Sequence, residues 1–474
     1  MKRFTVIIIV ALASLNAWGQ DISGAWNGIL NLPSAVNGKI QSIQLRVVFH
    51  IQKTATGYTA TMDSPDQGAK DIPVTSVSFE NKVLKLSIAN AGIEYEGVLN
   101  ADGNITGTFR QMQISLEVNL TREKLETEKP RRPQEPSKPY PYYEEEVSFE
   151  NRDDGVTLAG TLTLPEKEGR FPAVVLISGS GAQNRDEEIM GHKPFLVLSD
   201  YLTRNGIAVL RFDDRGIAAS TGNFQTATSY DFSKDVEAGV KYLQSRKEIN
   251  SSKIGLIGHS EGGIIAPMLA ARSKNIAFIV MLAGGGVRMD SLLVLQVEAI
   301  SGAFGVNKTE IQINSGISKK IYDIVIRTDD TAQLRKDAET CLRQAIAQHP
   351  LFKSGSISED AFIHSEIMKI SSPWFRYFIR YNPAVALEKL KCPVLALNGE
   401  KDVQVTPKEN LEAIAKALEK GKNKRFTTKE LPGLNHLFQE CTTGLHTEYA
   451  GIEQTFSPVA LDIILKWIKE QIMI

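Results

Sequence analysis

Cysteine is scarce in this sequence: Cys341, Cys392 and Cys441 are the three it has in 474 residues. At most one disulfide could form, so no disulfide framework holds the chain together, and buried free thiols are expected. The cysteines and the seven histidines show none of the spacings that build a metal site. The glycine-rich runs lack the Lys-Ser/Thr ending of a phosphate-binding loop, so neither a metal nor a cofactor is expected. Net charge is also lacking, with 54 basic against 55 acidic residues. That balance gives no basic field for nucleic acid and no reason to expect a strongly charged partner. The apolar stretch Phe4 to Leu15 is shorter than the roughly 20 residues of a spanning helix, so stable membrane insertion is not expected.

That stretch has another reading. Lys2 and Arg3 precede it, and Ala17-Trp18-Gly19 offers small residues for cleavage before Gln20. Residues 1–19 therefore read as a secretory signal peptide. No cysteine follows directly for lipid attachment, so the expectation is a periplasmic or secreted soluble protein.

Residues 20–122 consist of short alternating segments such as Gln44 to Ile51, Tyr58 to Met62 and Lys82 to Ile88, separated by turns like Ala101-Asp102-Gly103-Asn104. This pattern predicts a small antiparallel all-β domain, a sandwich or barrel. Its aromatic residues Trp26, Phe49, Tyr58, Phe79, Tyr95 and Phe109 are read as core. Residues 123–146 are charged and carry five prolines, from Pro130 to Pro141, which favours an extended, semi-rigid linker. From 147 to 474 the pattern is α/β. Apolar runs such as Ala173 to Ile177, Ala208 to Phe212, Ile254 to Ile257, Phe278 to Leu282 and Val394 to Leu397 alternate with amphipathic segments. That alternation predicts a mainly parallel sheet covered on both faces, with chemistry at the carboxyl ends of its strands. Between about 288 and 390 the strands give way to helical patterns, read as an inserted helical cap, with a separate third domain as the alternative.

The sharpest signal is Gly258-His259-Ser260-Glu261-Gly262-Gly263. An apolar strand precedes it and a helical segment follows, the setting in which Gly-x-Ser-x-Gly forms a nucleophile elbow. A serine hydroxyl needs a base, and the base needs an acid to fix its tautomer. In this architecture the order is serine, acid, histidine. Asp402 follows the strand Val394 to Leu397 and is the candidate acid, with Glu400 as runner-up. His436 follows the strand Arg425 to Leu431 and is the candidate base, while His446 is the other histidine beyond Asp402. His259, beside the serine, is expected to point away from the site. Donors for an oxyanion are sought in the backbone N–H of Glu261 and in the loop Ser178-Gly179-Ser180-Gly181-Ala182, with Ser180 preferred over Gly181. A plain glycine-rich turn is the competing reading of that loop.

Ser178-Gly179-Ser180-Gly181 with Asn184-Arg185-Asp186, Asp213-Asp214-Arg215-Gly216, the serine motif and Ser372-Pro373-Trp374-Phe375-Arg376-Tyr377 together resemble bacterial α/β-hydrolase serine carboxylesterases near the dienelactone-hydrolase and prolyl-oligopeptidase branch. The N-terminal part loosely resembles the lipocalin-like modules that precede some bacterial hydrolases. The resemblance implies an α/β-hydrolase fold, no cofactor, and short-chain ester hydrolysis on a small-molecule substrate. It places nucleophile, acid and base at Ser260, Asp402 and His436. The sequence departs from the pattern at Ser178, where relatives often have histidine, and at Ile217-Ala218-Ala219-Ser220, where they commonly carry a second glycine. Two other functions compete: a serine peptidase of the prolyl-oligopeptidase type, and a non-catalytic binding protein on a hydrolase fold. Roughly 100 residues of short strands are too few for a peptidase propeller. Oligomeric state is not readable.

Overall fold

The computed structural model describes residues 21–36, 39–67, 69–88, 92–111, 114–125, 131–349 and 358–473. The signal-peptide reading, at 1–19, lies outside them.

Nine strands make up the N-terminal domain among the described residues: β1 (Gly24–Val36), β2 (Lys39–Thr54), β3 (Gly57–Ser64), β4 (Ala69–Pro73), β5 (Ser76–Glu80), β6 (Val83–Ile88), β7 (Ile93–Leu99), β8 (Ile105–Gln111) and β9 (Ile114–Leu120). They form two antiparallel meanders, of four and five strands. The meanders join through paired hydrogen bonds between Asn27 and Thr121 and through the continuous chain at Val74-Thr75, where Val74 N–H donates to the Ala60 carbonyl of the first and Thr75 N–H to the Ser87 carbonyl of the second. The result is a small up-and-down barrel. Alternate residues face inward, as the period of a strand requires, and Trp26, Phe49, Leu84, Tyr95 and Phe109 fill the interior. Tyr58 and Phe79 are only half-buried and meet edge to face at its margin. Arg122 lies over the Trp26 ring and donates to the Ser23 carbonyl, closing one end.

Of the proline-rich segment, residues 131–142 are tied to the C-terminal domain. Arg132 donates to the carbonyls of Met190, Gly191, Ala450 and Ile452, and Gln134 both donates to and accepts from the chain at Thr455 and Phe456. The segment is thereby laid along the catalytic domain. The first strand of that domain begins at Tyr143, four residues ahead of the expected 147.

The catalytic domain has one eight-stranded sheet: β10 (Tyr143–Asn151), β11 (Val156–Leu164), β12 (Phe171–Ile177), β13 (Ala208–Phe212), β14 (Ile249–His259), β15 (Ile279–Leu282), β16 (Val394–Gly399) and β17 (Phe426–Leu431). The spatial order is β10-β11-β13-β12-β14-β15-β16-β17. β11 runs antiparallel to both neighbours, and all pairs from β13 to β17 are parallel. This is the α/β-hydrolase topology. The central strands are buried throughout because helices cover both faces. On one side pack α2 (Ser229–Ser245), α3 (Gly262–Ala270) and α10 (Pro407–Lys420); on the other, α1 (Pro194–Arg204) and α11 (Pro458–Met473). α2 starts where Thr228 and Asp231 form a capping box, satisfying N–H groups that a helix start leaves open.

Between β15 and β16 lies a helical insertion: α4 (Met289–Ala303), α5 (Lys308–Arg327), α6 (Thr331–Gln348), α7 (Glu359–Ile370), α8 (Pro373–Arg380) and the short α9 (Ala384–Leu387). It has its own apolar centre, built from Ile321, Val325, Leu334, Leu342, Ile363, Phe375 and Ile379. Both flanks belong to the same sheet, so it sits as a cap rather than a third domain.

Candidate active site

β14 runs straight into Ser260, and α3 leaves two residues later. The turn has no room for side chains. A Cβ on Gly258 would lie 2.0 Å from the Gly262 carbonyl oxygen, and one on Gly262 would lie 2.1 Å from that of Ile177. Ser260 itself takes φ +53°, a left-handed conformation that L residues rarely adopt. Its N–H donates to the Leu282 carbonyl on the neighbouring strand at 2.8 Å, which holds the strained residue in place.

Asp402 and His436 arrive from the ends of β16 and β17. His436 Nδ1 lies 2.8 Å from Asp402 Oδ2, and both side chains are buried. Asp402 Oδ1 accepts the N–H groups of Gln404 and Val405 at 2.8 and 2.9 Å. One carboxylate oxygen thus shapes the turn and the other faces the imidazole. The runner-up Glu400 is turned elsewhere and accepts the Gly433 N–H at 2.8 Å. His446 begins a 3-10 turn and rests its ring against Phe304. Ser260 and His436 line one cavity of about 360 Å³.

The loop after β12 also borders this cavity. Gly179 N–H donates to Glu187 Oε1 at 2.6 Å. Ser180 comes next and lines the cavity, and the chain turns at Gly181, whose φ is +105°. Asp214 pins the loop at two points, accepting from Ser178 Oγ at 2.9 Å and from Gln183 N–H at 3.0 Å. Serine at 178 therefore serves as an anchor. Burial pushes the Asp214 carboxyl well above the usual carboxylate range; those two hydrogen bonds oppose it and the nearby Glu261 and Glu187 carboxylates add to it. The backbone N–H of Glu261 lies at the start of α3, where helical geometry supplies no acceptor. The other departure, after Arg215, also has a physical solution: Ala218 takes φ +47°, the region a glycine would favour.

Several neighbours of the serine were not found by sequence reasoning. Glu261 turns its carboxylate inward, where Oε1 accepts from Ser229 Oγ at 2.6 Å and from the Trp374 indole at 2.9 Å. Burial raises its pKa, against the pull of Ser229, Trp374 and Ser180. Trp374, from α8, fixes the cap to the elbow by this bond and stacks on Phe378. His259 does not point away from the site. Its ring lies 4.9 Å from that of His436, with Nδ1 2.9 Å from Glu187 Oε1 and Nε2 2.9 Å from the His436 carbonyl. Strand alternation puts His259 on the face of Ile257, and at the end of β14 the loops of Glu187 and His436 roof that face.

The Asn184-Arg185-Asp186 segment delivers Glu187. Arg185 meets Asp213 through two hydrogen bonds of 3.1 and 2.8 Å, and Asp186 pairs with Arg211. Arg215 clasps Asp235 in the same forked way and also reaches Asp154. The charged motifs of the sequence are thus the braces of the loops around the serine, the geometry guanidinium–carboxylate pairs favour. Cap residues Met289, Leu292, Phe375 and Phe378 supply much of the apolar cavity wall, with Ile264 beside the serine. Among the described residues no group of three or more His, Cys, Asp or Glu is placed to hold a metal ion. The three cysteines are free, and burial pushes the thiols of Cys392 and Cys441 up to about 11.

Esterase EstD of Thermotoga maritima is 27% identical over 298 residues, 63% of this chain and 62% of its own length. Human acyl-coenzyme A thioesterase 1 is 25% identical over 168 residues, 35% of this chain and 36% of that protein. The chain thus spans less than two thirds of either relative. Among solved structures, the α/β-hydrolase GrgF from Penicillium is similar at 17% identity and a TM-score of 0.43, covering 70% of this chain and all of its own. Est1E from Butyrivibrio proteoclasticus with ferulic acid gives 16% and 0.41, covering 69% of this chain and 100% of its own. A family model matches residues 154–429, more than half of the chain and the stretch that carries Ser260 and Asp402. On that match the chain belongs to the X-Pro dipeptidyl-peptidase (S15) family.

Proposed function

We propose that this protein is a serine hydrolase that cleaves short-chain carboxylic esters through an acyl-enzyme. The observation that carries the reading is the buried Asp402–His436 pair sharing a cavity with a serine on a strained elbow. Ser260 Oγ attacks the ester carbonyl carbon as His436 takes its proton through Nε2. Asp402 keeps the proton on Nδ1 and stabilises the imidazolium. The N–H groups of Glu261 and Ser180 receive the oxyanion. His436 then gives its proton to the departing alcohol, and a water activated by the same histidine releases the acid.

The family name and the EstD likeness pull toward peptide and ester respectively. A peptidase that reads a free amino terminus needs a carboxylate for the ammonium group. The two carboxylates lining the cavity, Glu187 and Glu261, are both engaged, the first by Gly179 and His259 and the second by Ser229 and Trp374. An apolar cavity near the lower end of ligand-pocket volumes suits a small acyl group. The leader-like first 19 residues support export to the periplasm or beyond.

The test is labelling by a fluorophosphonate probe in the wild type and in Ser260→Ala, followed by turnover of an acyl-ester series and of Xaa-Pro amides. Labelling lost in S260A, with ester turnover fastest on short chains, is expected. An unlabelled wild type would sink the hydrolase reading, and amide turnover without ester turnover would replace it with the peptidase.

A further inference from the structure

Beneath Ser260 lies a second acid–histidine pair with no part in the proton transfers above. Glu187 and His259 are both buried. Their protonation follows from their partners. His259 Nε2 faces the His436 carbonyl at 2.9 Å, and a carbonyl can only accept, so Nε2 carries a hydrogen. Nδ1 faces Glu187 Oε1 at 2.9 Å, an oxygen that also accepts from Gly179 N–H at 2.6 Å. That pairing favours the charged form of the ring. Burial works against that charge, but the Glu187 carboxylate and the His436 carbonyl outweigh it and hold the His259 pKa above its ordinary value.

The pair touches the three parts whose spacing matters most. Glu187 holds the first N–H of the donor loop. His259 directly precedes Ser260 and donates to the main chain of His436. The loop lies close against the serine, since a Cβ on Gly179 would be 3.1 Å from Ser260 Cβ. Glu187 takes φ +51°, a left-handed conformation uncommon outside glycine. The ion pairs Arg185–Asp213 and Arg211–Asp186, on residues just before it, hold the segment in that shape. Strain maintained by such bracing is a mark of functional sites.

We propose that Glu187 and His259 are a positioning pair. The carboxylate aims the Gly179–Ser180 loop at the substrate carbonyl, while the His259 Nε2–H fixes the backbone of His436, so that oxyanion donors, nucleophile and base keep one spacing. The inference rests on the serine-hydrolase reading. It assigns the pair a role in the transition state rather than in substrate binding, because hydrogen bonds to the oxyanion strengthen only as its charge develops.

The experiment measures kcat and KM for p-nitrophenyl acetate in wild type, E187A, E187Q and H259N, with melting temperature as a check on folding. Misplacing one oxyanion donor costs about a hundredfold or more in kcat. E187A is therefore expected to lose about that much kcat, with KM within about threefold of wild type. E187Q keeps, in the place of Oε1, an amide oxygen that can accept from both Gly179 N–H and His259 Nδ1 and loses only the charge, and should recover at least about tenfold of the loss. H259N keeps the contact to Glu187 but drops the bond to His436, and should lose about tenfold in kcat alone. Folded E187A with wild-type kcat, or E187Q no better than E187A, overturns the proposal. Should E187A fail to fold, H259N decides, and wild-type kcat there overturns it equally. A wild type that takes no fluorophosphonate label and turns over no ester removes the hydrolase reading and the pair's role with it. A wild type that turns over normally beside insensitive variants removes the pair alone.

Discussion

Replacing Asp402 by asparagine should abolish turnover while leaving the fold in place, for a reason that can be worked from the turn it occupies. Asp402 Oδ1 accepts two backbone N–H groups, and Oδ2 faces His436 Nδ1. An asparagine has only one oxygen to offer. If that oxygen faced His436, the amide NH2 would confront the N–H groups of Gln404 and Val405, leaving two buried donors unpaired. Each unpaired donor costs about 1–3 kcal/mol, so the wrong orientation lies roughly 2–6 kcal/mol higher. The oxygen therefore stays with the turn and the NH2 faces His436. Nδ1 must then accept, the ring's proton moves to Nε2, and His436 can no longer take the proton of Ser260. Loss of the correct tautomer in such a triad costs about four orders of magnitude in kcat. The assay is kcat on p-nitrophenyl acetate across the neutral and alkaline range, with thermal melting alongside. The expected result is a collapse in kcat that higher pH does not repair and a melting temperature within several degrees of wild type. D402N retaining more than about a tenth of wild-type kcat would refute both the tautomer argument and the assignment of the acid.

Two further expectations follow from buried groups. His192 is held neutral between Thr455 Oγ1 and the Tyr449 carbonyl; burial, then the charge of Arg132, lower its pKa to about 4, against the pull of that carbonyl. The unfolded chain binds this proton below about pH 6.5, so it holds more protons than the folded chain between those values. Stability should thus be fully present above pH 6.5 and fall by about 3 kcal/mol as pH drops toward 4. Urea unfolding at a series of pH values checks this, and a slope unchanged in His192→Gln would count against it. Trp374→Phe removes the cap's bond to Glu261. A lost charge-assisted bond of about 1.5 kcal/mol corresponds to roughly tenfold in kcat/KM. The loss should appear mainly in KM, and wild-type KM with reduced kcat would contradict the anchoring role.

The elbow was legible in sequence because its requirements are local: an apolar strand, glycines where Gly258 and Gly262 meet bare backbone, and a helix after them. The order of Asp402 and His436 was legible because each follows a strand by a few residues, the buried β16 and the edge strand β17. The edge strand β10 and its neighbour β11 were less so. β10 carries Glu144, Glu145 and Glu146 in its first half, and a charged edge strand lacks the continuous apolar run that marked β12 to β16. Glu187 was hidden for another reason. It reaches the site through a left-handed turn at a non-glycine residue, held by Arg185 of the same segment against Asp213 and by Arg211 of β13 against Asp186, and no spacing rule encodes that. His259 was misplaced because the elbow was treated as a turn, whereas strand alternation continues to its last residue. Composition could give the linker's stiffness but not its docking, which Arg132 and Gln134 decide.

The Arg132 guanidinium gathers four carbonyls from two loops of the hydrolase domain, and Ala450, on one of those loops, packs into the barrel's apolar cluster. A barrel seated this way is not a detachable cassette. The same loop continues through Tyr449, whose hydroxyl meets Gln404 next to the Asp402 turn. Heated in a calorimeter, barrel and hydrolase should therefore melt in one transition, as a single cooperative body, and another barrel could not take its place without rebuilding the loops that hold Arg132.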